Sequence, residues 1–420
     1  MKKKFQQIFY DMRRRPVITG ITLTGTAASV FLFMVYIMMQ AVETVPFAPE
    51  SCRDHILYGR YIHTQWPDSQ RSISGSLNFE QSDEIYSGLE GVEKMCRVDS
   101  WSELADVVGP SGNIAQVTSR LVDSNFWDIF DFKLLAGRYF TADEADAGMK
   151  VAVIDRSTAR RFFGSVEEAP GNTLSYVGEN YRVTGVVDDV SPLATQTFAR
   201  FYRPLSRVDK NANGDVALLI KDGVTPESLR RQVERRYDAI NSRRDSAQDG
   251  YYVYHGQPYD QKTVAGEIYS NWTPETPDID WTTILVCVIL LVVPAINLSS
   301  MLGSRLQSSI SEYGIRRAYG CTRRRIFADI VAENFILTLM GGIVGIALAI
   351  LFVYNSGSIF AFVGGTHEAS VTPPLSLLLS WKVVLLALGA CLLLNLLSAC
   401  WPAWKAAHTT PVDAISARNR

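Results

Sequence analysis

Four long stretches almost free of charge constrain this chain more than any other feature. They run over residues 17–39, 282–303, 335–354 and 383–403. Each holds about the twenty residues that a helix needs to cross roughly 30 Å of hydrocarbon. In lipid a backbone must satisfy its own hydrogen bonds, so each stretch is expected to be a helix. The expectation is a membrane protein with four transmembrane α-helices. The first stretch exceeds the 7–15 apolar residues of a signal peptide, and no small-x-small cleavage site follows it, so it reads as an uncleaved anchor.

Charge sets the orientation. Lys2, Lys3, Lys4, Arg13, Arg14 and Arg15 precede the first span. Arg305, Arg316, Arg317, Arg323, Arg324 and Arg325 lie between the second and third, and Lys405, Arg418 and Arg420 follow or close the fourth. Residues 355–380 contain no Lys or Arg. The positive-inside rule then puts both termini and the arginine loop on the cytoplasmic side of the membrane. The net charge of −2 gives no bulk attraction to nucleic acid.

The expected organisation follows. Residues 1–16 carry Phe5, Ile8, Phe9 and Met12 at helical spacing between basic residues, which suits an amphipathic helix on the inner membrane surface. Span one takes 17–42. Residues 43–280 form a large extracytoplasmic α+β domain inserted between spans one and two. Within it "DHILYGRYIHT" reads as a strand and "FEQSDEIYSGLEG" as a helix ending at Gly91. "DVALLIKDG" and "TPESLRRQVERRYDAI" repeat that order, with Thr225 at the helix start. Strand-rich sequence separates the two units. Residues 281–420 hold spans two to four, a cytoplasmic loop at 304–330 and a tail at 405–420. Trp281, Trp381, Trp401 and Trp404 mark interfaces, and Pro294 should kink span two. Gly341, Gly345 and Ala349 align on one face of span three, where small residues permit close packing within one chain or between two copies.

Catalytic signals are lacking. No G-x-x-x-x-G-K-[ST] occurs in these residues, nor any Gly-Lys pair, nor H-E-x-x-H. The five histidines are scattered; His55 and His63 can share one strand face, which is ordinarily packing rather than a metal site. No bound cofactor is expected. Cys52 and Cys96 are the only cysteines in the outer segment. An oxidising compartment favours a disulfide between them, with two separate buried thiols as the alternative.

The stretch "ISEYGIRRAYGCTRRRIF" (310–327) is the most specific feature. One arginine at mid-bilayer costs about 3 kcal/mol, so this segment stays outside the membrane. Glu312 and Arg316 are spaced to pair along a helix. Gly320 looks like a helix C-cap and Thr322 like the start of a second helix. The result is a compact helix–turn–helix knob.

That stretch, continued by "ADIVAENFILTLMGGIVGIALA" and closed by "WPAWKAAHTTPVDAI", resembles the FtsX-type permease domain. "DSNFWDIFDFKLLAGRYFTADEADAGMKVAVIDRSTARRFFGS" with "YRVTGVV" is similar to the MacB-type periplasmic core domain. Cys321 departs from the small residue usual there, and the ATPase that MacB carries on the same chain is lacking. The resemblance implies a non-catalytic permease subunit of an ABC transporter. It implies two copies of a separate ATP-binding subunit, which use ATP and magnesium, and a second permease copy or a homologous permease. A periplasmic adaptor and an outer-membrane duct are further candidate partners. Glu312, Gly314, Ile315, Arg316, Arg317, Gly320 and Arg323 would face the ATPase. Expected cargo is a peptide, a toxin or a similar substrate; release of lipoproteins is an alternative, and a membrane sensor without ATPase is another. The topology is testable: a reporter fused after Arg420 should be cytoplasmic and one inserted after Asp245 outside, whereas both on one side would contradict four spans.

Overall fold

The computed structural model describes residues 16–67, 71–100, 102–206, 213–265, 281, 284–290, 292, 315–355 and 381–408. The expectations for the N-terminal amphipathic helix, Pro294, Glu312, Gly314 and the loop after span three lie outside these residues. The chain divides into two units. One comprises Met1–Gln40, Asp278–Ser356 and Pro374–Arg420; the other comprises Ala41–Pro277 and Gly357–Pro373.

In chain order the described elements begin with helix α1 (Pro16–Thr44), a 3-10 turn (Arg53–His55), β1 (Ile56–Gly59), β2 (Tyr61–Gln65), β3 (Ser72–Asn78), α2 (Phe79–Tyr86) and β4 (Val92–Val98). Next come β5 (Glu103–Val108), β6 (Ile114–Val122), α3 (Phe126–Ile129), β7 (Leu134–Gly137), α4 (Ala142–Asp146), β8 (Val151–Asp155) and α5 (Arg156–Phe163). Then follow β9 (Thr173–Tyr176), β10 (Glu179–Val187), β11 (Phe201–Pro204), β12 (Asn213–Ile220), α6 (Pro226–Asn241), β13 (Tyr251–Val253) and α7 (Gln261–Ala265). The chain closes with α8 (Arg323–Asn355) and α9 (Trp381–His408).

The larger unit is the expected α+β domain, and it has two halves. In the first, β1 and β4 flank β12 in antiparallel register, and β12 continues through β3 and β2 to β13. Helices α2 and α6 lay Ile85, Tyr86, Leu229, Val233 and Tyr237 against Leu57, Leu77, Val216 and Leu218. Asn78 starts α2 through a capping box with Gln81. That helix stops at Tyr86, before the expected Gly91, because Ser87 and the left-handed Gly88 turn the chain away. Thr225 does start α6, but its hydroxyl caps nothing; Pro226 occupies the first turn instead. The expected single strand over 54–64 is two strands separated at Arg60, whose side chain reaches Asp215 at 2.9 Å.

The second half is the strand-rich insert. Its strands run β6–β5–β9–β10–β8–β11, and β11 then pairs in parallel with β6, closing a six-stranded ring. Every ring strand sends side chains into one core, among them Val107, Val117, Ile154, Leu174, Val183 and Phe201. Closure removes the open edges that would otherwise invite pairing. Aromatic packing joins the halves: Trp127 stacks on Tyr139 at 4.5 Å and meets Phe132, Phe140 and Tyr202 edge-on.

In the other unit, Thr19–Met39 and Arg323–Asn355 are, among the described residues, the two helices long and apolar enough to cross a membrane. Helix α9 carries no charge between Lys382 and Lys405. Of the second window, residues 284–290 are helical. Thr26 and Ser29 donate their hydroxyls to the carbonyls of Thr22 and Gly25, so these two polar side chains of α1 are satisfied by its own backbone.

Helix α8 packs between α1 and α9. A Cβ on Gly341 would lie 2.8 Å from Thr26 Cβ, and one on Gly345 would lie 2.5 Å from the Ala27 carbonyl oxygen. Ala349 is fully buried on the same face. On the α9 side, a Cβ on Gly342 would meet Leu388 at 2.6 Å. The small-residue stripe is thus an intrachain seam. Gly345→Ala should therefore lower stability by about 1–3 kcal/mol through overpacking. Gly389→Ala, whose Cβ meets nothing within 4 Å, should not. Thermal unfolding of the detergent-purified protein would distinguish the two; equal melting temperatures would contradict the seam.

Candidate functional site

The basic segment between the apolar stretches builds a short turn at the start of α8. Residues 315–318 are helical, Tyr319 and Gly320 form the turn, and α8 begins at Arg323. Gly320 has φ +89°, a conformation that a Cβ disfavours. Its N–H donates to the Arg317 carbonyl at 2.9 Å, and the Cys321 N–H donates to the Arg316 carbonyl at 3.0 Å. These two bonds are the Schellman pattern, which closes a helix around a left-handed residue. The Thr322 carbonyl then accepts from Arg325 and Ile326 and starts the next helix. Gly320 and Thr322 therefore sit where their residue types place them.

One difference from the expectation matters. The knob's second helix is not a separate piece: it is the first turns of α8, which runs unbroken for 33 residues into span three. Cys321 and Phe327 pack against Ile326, Ile330, Ala399 and Ala403, which fixes the turn to the feet of α8 and α9. Outward, Tyr319 is 89% exposed and Ile315 48%. They are four residues apart, so they share one face. Arg323, Arg324 and Arg325 are exposed beside them, and Arg316 and Arg317 are half-buried. This surface combines an aromatic ring, an aliphatic side chain and positive charge around a rigid turn.

The structure does not join the two outer cysteines. Cys96 is a buried free thiol on β4, opposite Ala217 of β12 and bonded to that residue's backbone. Cys52 is a half-buried free thiol ahead of the 3-10 turn, near Asp131. Burial raises the pKa of both, with Asp131 adding to Cys52 and Asp123 to Cys96. The two thiols stand free rather than bridged, although both border one apolar cluster.

The histidines are also rearranged. His55 lies in the 3-10 turn, 3.7 Å from Asp222. His63 on β2 instead meets His255 edge-on at 5.1 Å and bonds Ser74 at 2.7 Å. Among the described residues no group of three or more His, Cys, Asp or Glu side chains is placed to hold a metal. Sequence reasoning missed a buried ion pair, Glu50 with Arg53 at 2.7 Å, both side chains without exposure. Their i,i+3 spacing was visible, but nothing local marked them as buried.

Comparison with known proteins supplies the family. The MacB-like periplasmic core domain matches residues 18–236, and the FtsX-like permease C-terminal domain matches residues 284–411. The uncharacterized ABC transporter permease YknZ of Bacillus subtilis is 21% identical over 350 residues, covering 83% of this chain and 81% of that protein. The macrolide export ATP-binding/permease protein MacB of Chromobacterium violaceum is 24% identical over 99% of this chain, which spans only 61% of that protein. The crystal structure of the periplasmic region of MacB from Actinobacillus actinomycetemcomitans aligns with 48% of this chain and 88% of its own, at 18% identity and a TM-score of 0.34. The two domain matches cover nearly all of the apolar first helix, most of the α+β domain and the C-terminal helices, and the chain belongs to the MacB/FtsX family of ABC transporter permeases, membrane proteins with a periplasmic or extracellular domain.

Proposed function

We propose that this permease transmits force from a separate cytoplasmic ATPase to its outer domain, across four spans of a bacterial inner membrane. The observation that carries the reading is the construction at the foot of α8: an exposed Tyr319, a turn closed by Gly320, and one unbroken helix leading into the membrane. A push on the turn cannot be absorbed by a loop, because no loop intervenes. The 33 residues of α8 span about 50 Å at 1.5 Å per residue. The glycine seam holds α8 against α1, whose chain continues directly into the outer domain.

The positive surface suits an acidic groove on the partner, and Tyr319 with Ile315 suits an apolar slot within it. The YknZ relative, of which this chain covers 81%, is named a permease, and that supports reading the ATPase as a separate subunit, used in two copies with a dimer of permeases. Export of a peptide, a toxin or another amphipathic molecule fits this arrangement, and the macrolide-export name of the Chromobacterium relative points the same way.

Two substitutions test docking and coupling separately. Tyr319→Ala leaves the turn intact and removes the exposed ring; it should weaken co-purification of the ATPase by about tenfold, a loss of roughly 1–2 kcal/mol. Gly320→Val forces a β-branched residue into the left-handed region, at a cost of about 1–3 kcal/mol, and should distort the turn. It should lower permease-stimulated ATP hydrolysis about 2- to 30-fold at equal membrane expression. Normal insertion with unchanged partner retention, ATPase stimulation and transport in both variants would leave the loop as a topological anchor alone.

A further inference from the structure

Glu50 and Arg53 lie within ten residues of the end of α1, on the segment that enters the outer domain. Their pair is fully buried. Burying two charges costs several kcal/mol per ion, and a well-packed apolar pair would serve stability as well. The geometry suggests what the charges do instead. Arg53 donates from Nε to Glu50 Oε2 at 2.7 Å, from Nη1 to the Val45 carbonyl at 2.9 Å and from Nη2 to the Leu193 carbonyl at 3.3 Å. Its guanidinium also lies over the Phe47 ring at 4.4 Å. Glu50 Oε1 accepts from the Gln196 and Thr197 N–H groups, each at 3.0 Å, and from the Thr197 hydroxyl at 2.8 Å.

The loop so held is gripped from its other side by the ring. Arg120 of β6 donates to the Gln196 carbonyl. Tyr202 of β11 donates to the Thr197 carbonyl at 3.1 Å and accepts from the Ala199 N–H at 3.2 Å. Strands β6 and β11 are the pair that closes the six-stranded ring. A continuous path of polar contacts therefore runs from Val45, the residue after α1, through Glu50 and Arg53 to residues 193–199 and into the ring closure. Several of its bonds are charge-assisted, the stronger class.

We infer that the Glu50–Arg53 pair is the joint through which movement of the first span enters the six-stranded ring. This rests on the force-transmission reading above. Sliding or turning the segment after α1 must either carry residues 193–197 with it or break several buried bonds together. An apolar contact of equal area would allow slip, because it is not directional. Glu50 and Arg53 are thus positioning residues for the permease's motion.

The test uses the full-length permease in membranes with its co-purifying ATPase. Spin labels on Val177→Cys, at the exposed tip between β9 and β10, and Arg231→Cys, on the exposed face of α6, report the ring against the helix-bearing half. The distance is read without nucleotide and after trapping with ATP and vanadate. In the Glu50→Gln/Arg53→Met double variant the resting distance and the hydrolysis rate should match the unaltered protein. The nucleotide-dependent shift in distance should fall about 2- to 30-fold. A purely structural role would not reduce the shift at an unchanged resting distance. If the double variant does not fold, Arg53→Lys is read the same way, since one ammonium cannot hold the Val45 and Leu193 carbonyls together as a guanidinium does. A full shift in the readable variant overturns the joint and leaves the force-transmission reading standing. No shift in the otherwise unaltered labelled protein, despite active ATP hydrolysis, overturns both.

Discussion

A helix in hydrocarbon cannot abandon its backbone hydrogen bonds, and in this permease that rule makes α8 a rod. The cost of an unsatisfied peptide group in lipid is several kcal/mol, so bending the rod at mid-membrane is disfavoured. Everything that follows depends on it. The turn at Gly320 matters because it is attached to a stiff element. The glycine seam matters because it lets that element touch the α1 backbone rather than only its side chains. The T-shaped contact of Phe31 with Phe352, at 5.4 Å, extends the seam toward the other end of α8.

The outer domain continues the same logic in water. Its ring closes by a parallel pairing of two strands whose residues are about eighty apart, so closure depends on tertiary packing rather than on a local turn. Trp127 and its aromatic neighbours fix the ring to the half that carries α2 and α6. The buried Glu50–Arg53 pair ties the segment after α1 to the ring closure. Rigid pieces joined by directional bonds move together, whereas apolar interfaces alone permit sliding.

Local signals in the sequence were the readable ones. Charge-free stretches gave α1 and α8 because hydrocarbon thickness sets helix length. Gly320 and Thr322 marked the turn because left-handed backbone and helix starts select those residue types. The α+β character of the inserted domain, its β12–α6 unit and its strand-rich insert were legible from alternation and turns, whereas β3 ahead of α2 was not. Contacts between distant residues were not. Ring closure and the meeting of His63 with His255 rather than His55 both depend on which distant segments meet. The burial of Glu50 and Arg53 was hidden for a further reason: an acidic and a basic residue three apart read as an ordinary solvated pair.

The central claim is that α8 transmits motion because it is unbroken from the turn into the membrane. The most direct measurement places a proline at its exposed Ala328, between the two. Proline there removes a backbone bond and costs about 3 kcal/mol locally without touching the turn at Gly320. Amide hydrogen exchange over residues 102–206 would then be compared with and without ATP and vanadate. The account predicts that Ala328→Pro retains the ATPase but loses the nucleotide-dependent change in the outer domain. An Ala328→Pro protein whose outer domain still responds in full would contradict it.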